Sequence, residues 1–296
     1  MLDNKKLILN PTMRIGLFLC ITILCFIFCA LISGIIMYKW EGNIAAMRIA
    51  TIMQDLILFI SPALITSILV TRLPADFLQL RKLSSFSSIF LTALILLLSI
   101  PAMNFIVHCN ESIVLPESLN SLEVYFKSLE NSSQESINLL LGFDSAASIS
   151  NLIMSILIVG ILTGISEELF FRGALQNLLL SNPMKAHIAI WTTAIIFSAM
   201  HFQFYGFIPR VLLGAFFGYL AFWSGSLWLP IFAHALNNSL VVLSTWLVKR
   251  NAINIDINKI GTEYTSDSLI FIAISVIATT LGIVILYRYY KQKLAQ

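Results

Sequence analysis

The sequence predicts an all-α, polytopic membrane protein with about eight transmembrane helices. Apolar residues make up 58% of the chain and charged residues 11%, where a soluble domain carries about 45–50% and about 25%. Mean hydropathy is +0.89. Apolar runs recur at span length, and a span needs about 20 residues, so 296 residues leave room for roughly eight. The net charge is only +3, and the basic residues lie in short segments between apolar runs. That distribution excludes a nucleic-acid surface and instead sets membrane orientation.

The elements follow in order. Lys5, Lys6 and Arg14 precede span one, Ile15 to Met37, which is too long for a signal-peptide core and reads as a retained anchor. Cys20, Cys25 and Cys29 lie in it and Cys109 lies just past span three. They lack metal-site spacing and read as packing residues. Span two is Ile52 to Val70, followed by Arg72, Arg81 and Lys82. Span three is Ser88 to Val107, with Pro101 expected to kink it. Cys109 to Asp144 is acidic, with Glu111, Glu117, Glu123, Glu130, Glu135 and Asp144 against Lys127. An interfacial amphipathic helix is expected over Leu119 to Leu141.

Span four starts near Ser148 and is closed by the breaker Asn182-Pro183. Span five is Ala186 to Phe202 and span six Phe207 to Trp223. Ser224-Gly225-Ser226 turns into span seven, Leu227 to Val248. A polar loop runs to Asp267, and span eight, Ser268 to Tyr287, precedes Arg288, Lys291 and Lys293. The positive-inside rule then puts both termini in the cytoplasm and the acidic loop outside, with Lys39, Arg48, Lys249 and Arg250 as exceptions. Three regions result: 1–147 with three spans and the acidic loop, 148–248 as the functional core, and 249–296 with the last span. Gly214 and Gly218 form a small-xxx-small pair, which carries no functional weight here.

The core is set apart by its charges. Between Asp144 and Asp256 the only acidic residues are Glu167 and Glu168, and a carboxylate in hydrocarbon costs several kcal/mol unless it is paired or wet. These two mark the chemical centre. At helical spacing Glu168 pairs with Arg172, while Glu167 points about 100° away. Of the four histidines, His108 and His187 sit at span ends and read as interfacial. His201 and His234 are deeper, with Phe197 one turn from His201 and Asn238 one turn from His234. If span four is helical to about Leu180, Glu167 and His201 lie about 16 and 18 residues from Pro183 and so reach similar depth, at about 1.5 Å per residue.

A carboxylate, two imidazoles and a carboxamide are the groups needed to activate water and hold an oxyanion. The alternative is a structural polar network tying spans four, five and seven together. A His-Glu-x-x-His zinc protease is excluded by the absence of that motif. An aspartyl pair is set aside because the spans read as free of aspartate. A serine–histidine dyad built on Gly164-Ile-Ser166 leaves the carboxylates unexplained.

Glu167-Glu168 with Arg172, Phe197 with His201, and His234 with Asn238 reproduce, in order, the motifs Glu-Glu-x-x-x-Arg, Phe-x-x-x-His and His-x-x-x-Asn. Over about Ser148 to Val248 the chain thereby resembles the CPBP family of CAAX proteases and bacteriocin-processing enzymes, also called Abi. The other spans carry no motif. The resemblance implies an intramembrane endopeptidase in which Glu167 and His201 activate water, His234 and Asn238 hold the oxyanion, and Glu168, Arg172 and Phe197 support the site. Its substrate is a peptide or membrane protein, its surroundings a lipid bilayer, in a bacterial plasma membrane.

A non-catalytic scaffold or bacteriocin-immunity protein that keeps the fold is the alternative function, with a transporter behind it. No cofactor is favoured. Zinc on Glu167, His201 and His234 is the alternative, disfavoured because Glu168, the acidic acceptor available to orient a zinc-bound imidazole, is expected to be taken by Arg172.

Overall fold

The computed structural model describes residues 8–143, 147–181, 184–252, 260–262 and 265–295. Lys5, Lys6, Asp144 and the Asn182-Pro183 breaker lie outside the described residues. The protein is an all-α integral membrane protein, and its described residues form no strand. Its helices are α1 (Pro11–Lys39), α2 (Ile44–Val70), α3 (Phe86–Glu111), α4 (Asn120–Leu141), α5 (Ile149–Ser181), α6 (Ala186–Ala199), α7 (Phe207–Ser224), α8 (Trp228–Lys249) and α9 (Ser266–Ala295).

Seven of these are long and apolar enough to cross a membrane, and α6 is not. At about 1.5 Å per residue its 14 residues rise about 21 Å, against a hydrocarbon thickness of about 30 Å. Eight long spans therefore become seven plus one short apolar helix. Span two also begins earlier than expected, at Ile44, capped by Asn43 Oδ1, which accepts from the backbone amides of Ala45 and Ala46.

The helix borders follow from local chemistry. Asn10, Ser85 and Ser148 cap α1, α3 and α5 through side-chain oxygens, the usual use of these residues at a first turn. α7 ends at Gly225, whose φ of 60° suits a residue without Cβ. α3 continues as one helix through Pro101, where a side chain of α9 takes up the backbone groups on either side. Ser275 Oγ of α9 accepts from Ala102 N at 3.2 Å and donates to Leu98 O at 2.6 Å.

The faces of α1 and α9 that meet no other helix are apolar. Leu24, Leu31 and Ile35 on α1 and Phe271 and Ile277 on α9 are exposed, which is what lipid contact requires. Inside, Phe18, Phe59, Phe170 and Phe171 pack α1, α2 and α5 together. Of the cysteines read as packing residues, Cys29 is buried, whereas Cys20 and Cys109 are exposed.

The chain ends sort into two layers. Arg14 donates to Ser181 Oγ, Lys82 to the Ser224 carbonyl and Asn177 to the Phe77 carbonyl, so these segments share one side. On the other side, α4 meets the α6–α7 turn through a Phe126–Phe204 stack, centroids 4.9 Å apart, and a Gln203 Nε2 to Ser133 Oγ hydrogen bond. Thiol-labelling of single cysteines at Ser84 and Glu135, in a background lacking the four native cysteines, should occur from opposite sides of the membrane. Labelling of both from one side would overturn this layering.

Candidate active site

α5 runs unbroken through the glutamates, the continuous arrangement that the depth argument needs. It is regular only in part, because Ile156–Leu162 and Leu169–Gln176 are π-helical. Such turns occur often at functional sites, since the wider ring turns side chains away from their α-helical bearing. Between the two π segments stand Gly164, Ser166, Glu167 and Glu168, all buried.

α8 approaches this stretch closely. A Cβ on Gly164 would lie 3.0 Å from the Ala235 amide nitrogen, so glycine is what permits the contact. The approach delivers His234. Its Nδ1 lies 2.8 Å from Glu168 Oε1, and its Nε2 lies 3.6 Å from Glu167 Oε2. The same Glu168 oxygen receives Arg172 Nη1 at 2.5 Å.

Here a sequence expectation is corrected. Glu168 is not consumed by Arg172; it bridges Arg172 and His234. Its second oxygen and Arg172 Nε are buried without a hydrogen-bond partner among the described residues.

The network is enclosed by aromatics. Arg172 Cζ stands 4.8 Å from the Phe197 centroid and 5.5 Å from that of Phe217, a cation–π contact strengthened by desolvation. Phe217 also stacks on His234 at 5.1 Å and 28°. Arg172 Nη2 donates to the Gly214 carbonyl and Gln176 Nε2 to that of Gly218. The small-xxx-small pair thus exposes backbone acceptors to α5 and has a role at the site that its spacing alone did not reveal.

Phe197 sits between both histidines, with centroids 5.0 Å from His201 and 5.9 Å from His234. His201 lies just past α6, half-buried, with Nδ1 2.8 Å from the Phe197 carbonyl. Because that carbonyl only accepts, Nδ1 carries the proton and neutral His201 presents Nε2 as an acceptor. Next to it Phe202 has φ 53°, a left-handed conformation that costs a non-glycine residue about 1–2 kcal/mol. Asn110 fixes this turn, donating to the Phe204 carbonyl and accepting from the Ile208 amide, while Arg210 donates twice to Gln203.

The structure does not join every predicted residue. The carboxylate contacts at the site are the Arg172–Glu168 ion pair and the approaches of His234 to Glu168 and Glu167, and His201 makes none among the described residues. Asn238 donates to the Val159 carbonyl, inside the first π segment, at 3.1 Å, so one of its two amide hydrogens is spent on helix packing.

Sequence reasoning missed one residue outright. Asp55 lies within α2, against the expectation of spans free of aspartate. It is buried, accepting from Ser166 Oγ at 2.7 Å and Thr163 Oγ1 at 3.0 Å. The signal was present, since Asp55 already fell inside the Ile52 to Val70 span.

No three His, Cys, Asp or Glu side chains among the described residues gather as a metal ligand set, so Glu167, His201 and His234 do not fit zinc as they stand. Both imidazoles do, however, have Nδ1 acceptors of the kind that orient a zinc ligand, Glu168 Oε1 and the Phe197 carbonyl, against the expectation that Arg172 takes Glu168 alone. A cavity of about 580 Å³ between α3, α6, α7 and α9, lined by Leu96, Trp191, Leu213, Phe216, Trp223 and Ile283 among others, holds none of the candidate catalytic side chains.

Residues 149–240 match the family model described as type II CAAX prenyl endopeptidase Rce1-like. The match starts at the first residue of α5, ends within α8 and contains all three motifs, so the resemblance to CAAX proteases is borne out over this segment. An uncharacterized protein, YpbD of Bacillus subtilis (strain 168), is 33% identical over 83 residues, which cover 27% of this chain and 39% of that protein. The chain thus spans about two-fifths of the length of this curated relative. No solved structure matches.

Removing the shared acceptor should be costly. Glu168→Ala leaves a buried guanidinium unpaired and should lower stability by about 3–5 kcal/mol. Glu168→Gln, which keeps an acceptor, should lower it less. Thermal unfolding of the detergent-solubilised chain checks the order.

Proposed function

With residues 149–240 matching the Rce1-like family, we propose that the protein is an intramembrane endopeptidase of the CAAX-protease type that hydrolyses a peptide bond with an activated water. The observation that carries this reading is the meeting of motif one and motif three side chains. Glu167 and His234 face each other at 3.6 Å in a buried site, with His234 fixed from behind by Glu168.

Glu167 takes the proton of the attacking water and passes it to the leaving amine. His201, with its proton on Nδ1, accepts a hydrogen bond from that water through Nε2 and orients it. His234 spends its Nδ1 proton on Glu168, so it can donate to an oxyanion only as the imidazolium. The second amide hydrogen of Asn238 supplies a further donor. The site is buried, where such dipoles act more strongly than in water.

The reaction is written without metal, because the histidines and Glu167 do not gather as a ligand set. The substrate class is a peptide or membrane protein that presents its scissile bond near the membrane surface. A prenylated CAAX peptide is the first probe, and mass spectrometry of what a Glu167→Gln variant traps identifies the native substrate. The location is a bacterial plasma membrane with both termini cytoplasmic.

Glu167→Ala, His201→Ala and His234→Ala should each insert normally and lower cleavage by at least about 10²–10³, the range for losing one base or oxyanion donor. Complementation of a deletion strain by both Glu167→Ala and His201→Ala would overturn the protease reading in favour of a scaffold. Purified protein dialysed against chelator should keep its activity with less than one zinc per chain. Loss on dialysis, reversed by one equivalent of zinc or cobalt, would decide for a metalloprotease.

A further inference from the structure

Three carboxylates are buried around α5, and the cleavage reaction as written uses only two. The third, Asp55, has no role in it. Asp55 is 1% exposed in the middle of an apolar helix and forms no ion pair among the described residues. Its partners are two hydroxyls of one neighbouring helix, Ser166 and Thr163. A carboxylate held that way is an expensive device for joining two helices, since a neutral polar residue makes the same bonds without burying a charge.

The helix faces show what it is placed to do. Thr163, Ser166 and Phe170 lie on one face of α5, three and four residues apart, and that face meets α2. Asp55 takes the two hydroxyls, and one turn on, Phe59 packs edge-on to Phe170 with centroids 5.5 Å apart. Gly160, Gly164 and Glu168 lie on a second face, which meets Ser239, Ala235 and His234 of α8. Glu167 lies between these faces, one residue past Ser166.

On the α8 face the glycines leave space and the His234–Glu168 and Asn238–Val159 hydrogen bonds hold α5. On the α2 face Asp55, gripping both hydroxyls, is what resists rotation of α5 about its axis. Asp55 also opens the π-helical segment Asp55–Ile60 of α2, so the irregular turn of one helix lies against the regular turn of the other that bears the glutamates.

We propose that Asp55 is a positioning residue for Glu167, acting through Ser166 and Thr163 to fix the rotation of α5 and so the Glu167–His234 approach. This rests on the endopeptidase reading. With side chains the helix radius is about 5–6 Å, so a rotation of about 20° moves the Glu167 carboxyl by about 2 Å. A displacement of about 1 Å at a reacting group can cost about 10²-fold in rate.

The test compares Asp55→Ala, Asp55→Asn and the double variant Ser166→Ala/Thr163→Val in the full-length detergent-solubilised protein. Cleavage is followed on a prenylated CAAX peptide or, where that is not cut, on the peptide trapped by Glu167→Gln. Asp55→Ala should lower kcat by about 10–100-fold with KM within about twofold. Asp55→Asn, whose amide still takes one hydroxyl and donates to the other, should recover most of the rate. The hydroxyl double variant should reproduce the loss and add nothing to Asp55→Ala.

A second readout does not need turnover. The chain has four histidines, so ¹⁵N-histidine NMR gives few imidazole signals. The His234 Nε2 signal should move in Asp55→Ala and in the double variant and return in Asp55→Asn, while that of His187 stays. A folded Asp55→Ala with wild-type kcat and an unmoved His234 signal overturns the proposal. So does a double variant at the wild-type rate beside an impaired Asp55→Ala. If the wild type shows no Glu167-dependent cleavage, the endopeptidase reading fails, and the His234 signal alone decides whether Asp55 positions Glu167.

Discussion

One oxygen atom organises this protein. Glu168 Oε1 receives Arg172 from its own helix and His234 from α8, all three side chains being buried. A buried ion pair repays desolvation only when its remaining hydrogens find acceptors and the geometry is tight. The surrounding features meet most of those conditions, with Arg172 Nε left without an acceptor among the described residues. Gly214 offers Arg172 its carbonyl, and glycine there leaves room for Phe197, which a Cβ would meet at 3.1 Å. Phe197 and Phe217 cover the guanidinium. Gly164 lets α8 come near enough for His234 to reach across.

The irregular helix turns serve the same centre. Three π-helical segments, Asp55–Ile60, Ile156–Leu162 and Leu169–Gln176, bracket Glu167 and Glu168 along α5 and across on α2. A regular helix presents side chains at fixed bearings about 100° apart. Ser166, Glu167 and Glu168 keep those bearings, because they stand on the regular turn Thr163–Glu168 between the two π segments of α5. The first π segment also holds the Val159 carbonyl that Asn238 takes, so the irregularity supplies an acceptor for the third motif.

What was legible in the sequence was local. Glu168 and Arg172 are one turn apart, and so are Phe197 and His201, and helical spacing fixes such pairs before any packing is known. The link from His234 to Glu168 was not legible, because it depends on how closely α5 and α8 approach. That distance is set by Gly160 and Gly164, which carry no chemistry of their own. Asp55 was visible as a lone acid in an apolar run, but its partners lie over 100 residues away. The end of α6 was unreadable for another reason. Ala199 to Phe204 is apolar and aromatic enough to continue a helix, and what stops it is Asn110 of α3, which takes the Phe204 carbonyl and the Ile208 amide.

The shortness of α6 then has a consequence for the turn that follows it. A helix of about 21 Å cannot carry its end across a hydrocarbon layer of about 30 Å, so the turn bearing His201 has polar backbone that bare lipid cannot satisfy. α4 resolves this by lying over the turn, stacking Phe126 on Phe204 and joining Ser133 to Gln203. The amphipathic helix therefore covers the turn that bears His201. On the other side of α5 the core of Phe18, Phe59, Phe170 and Phe171 packs that helix against α1 and α2.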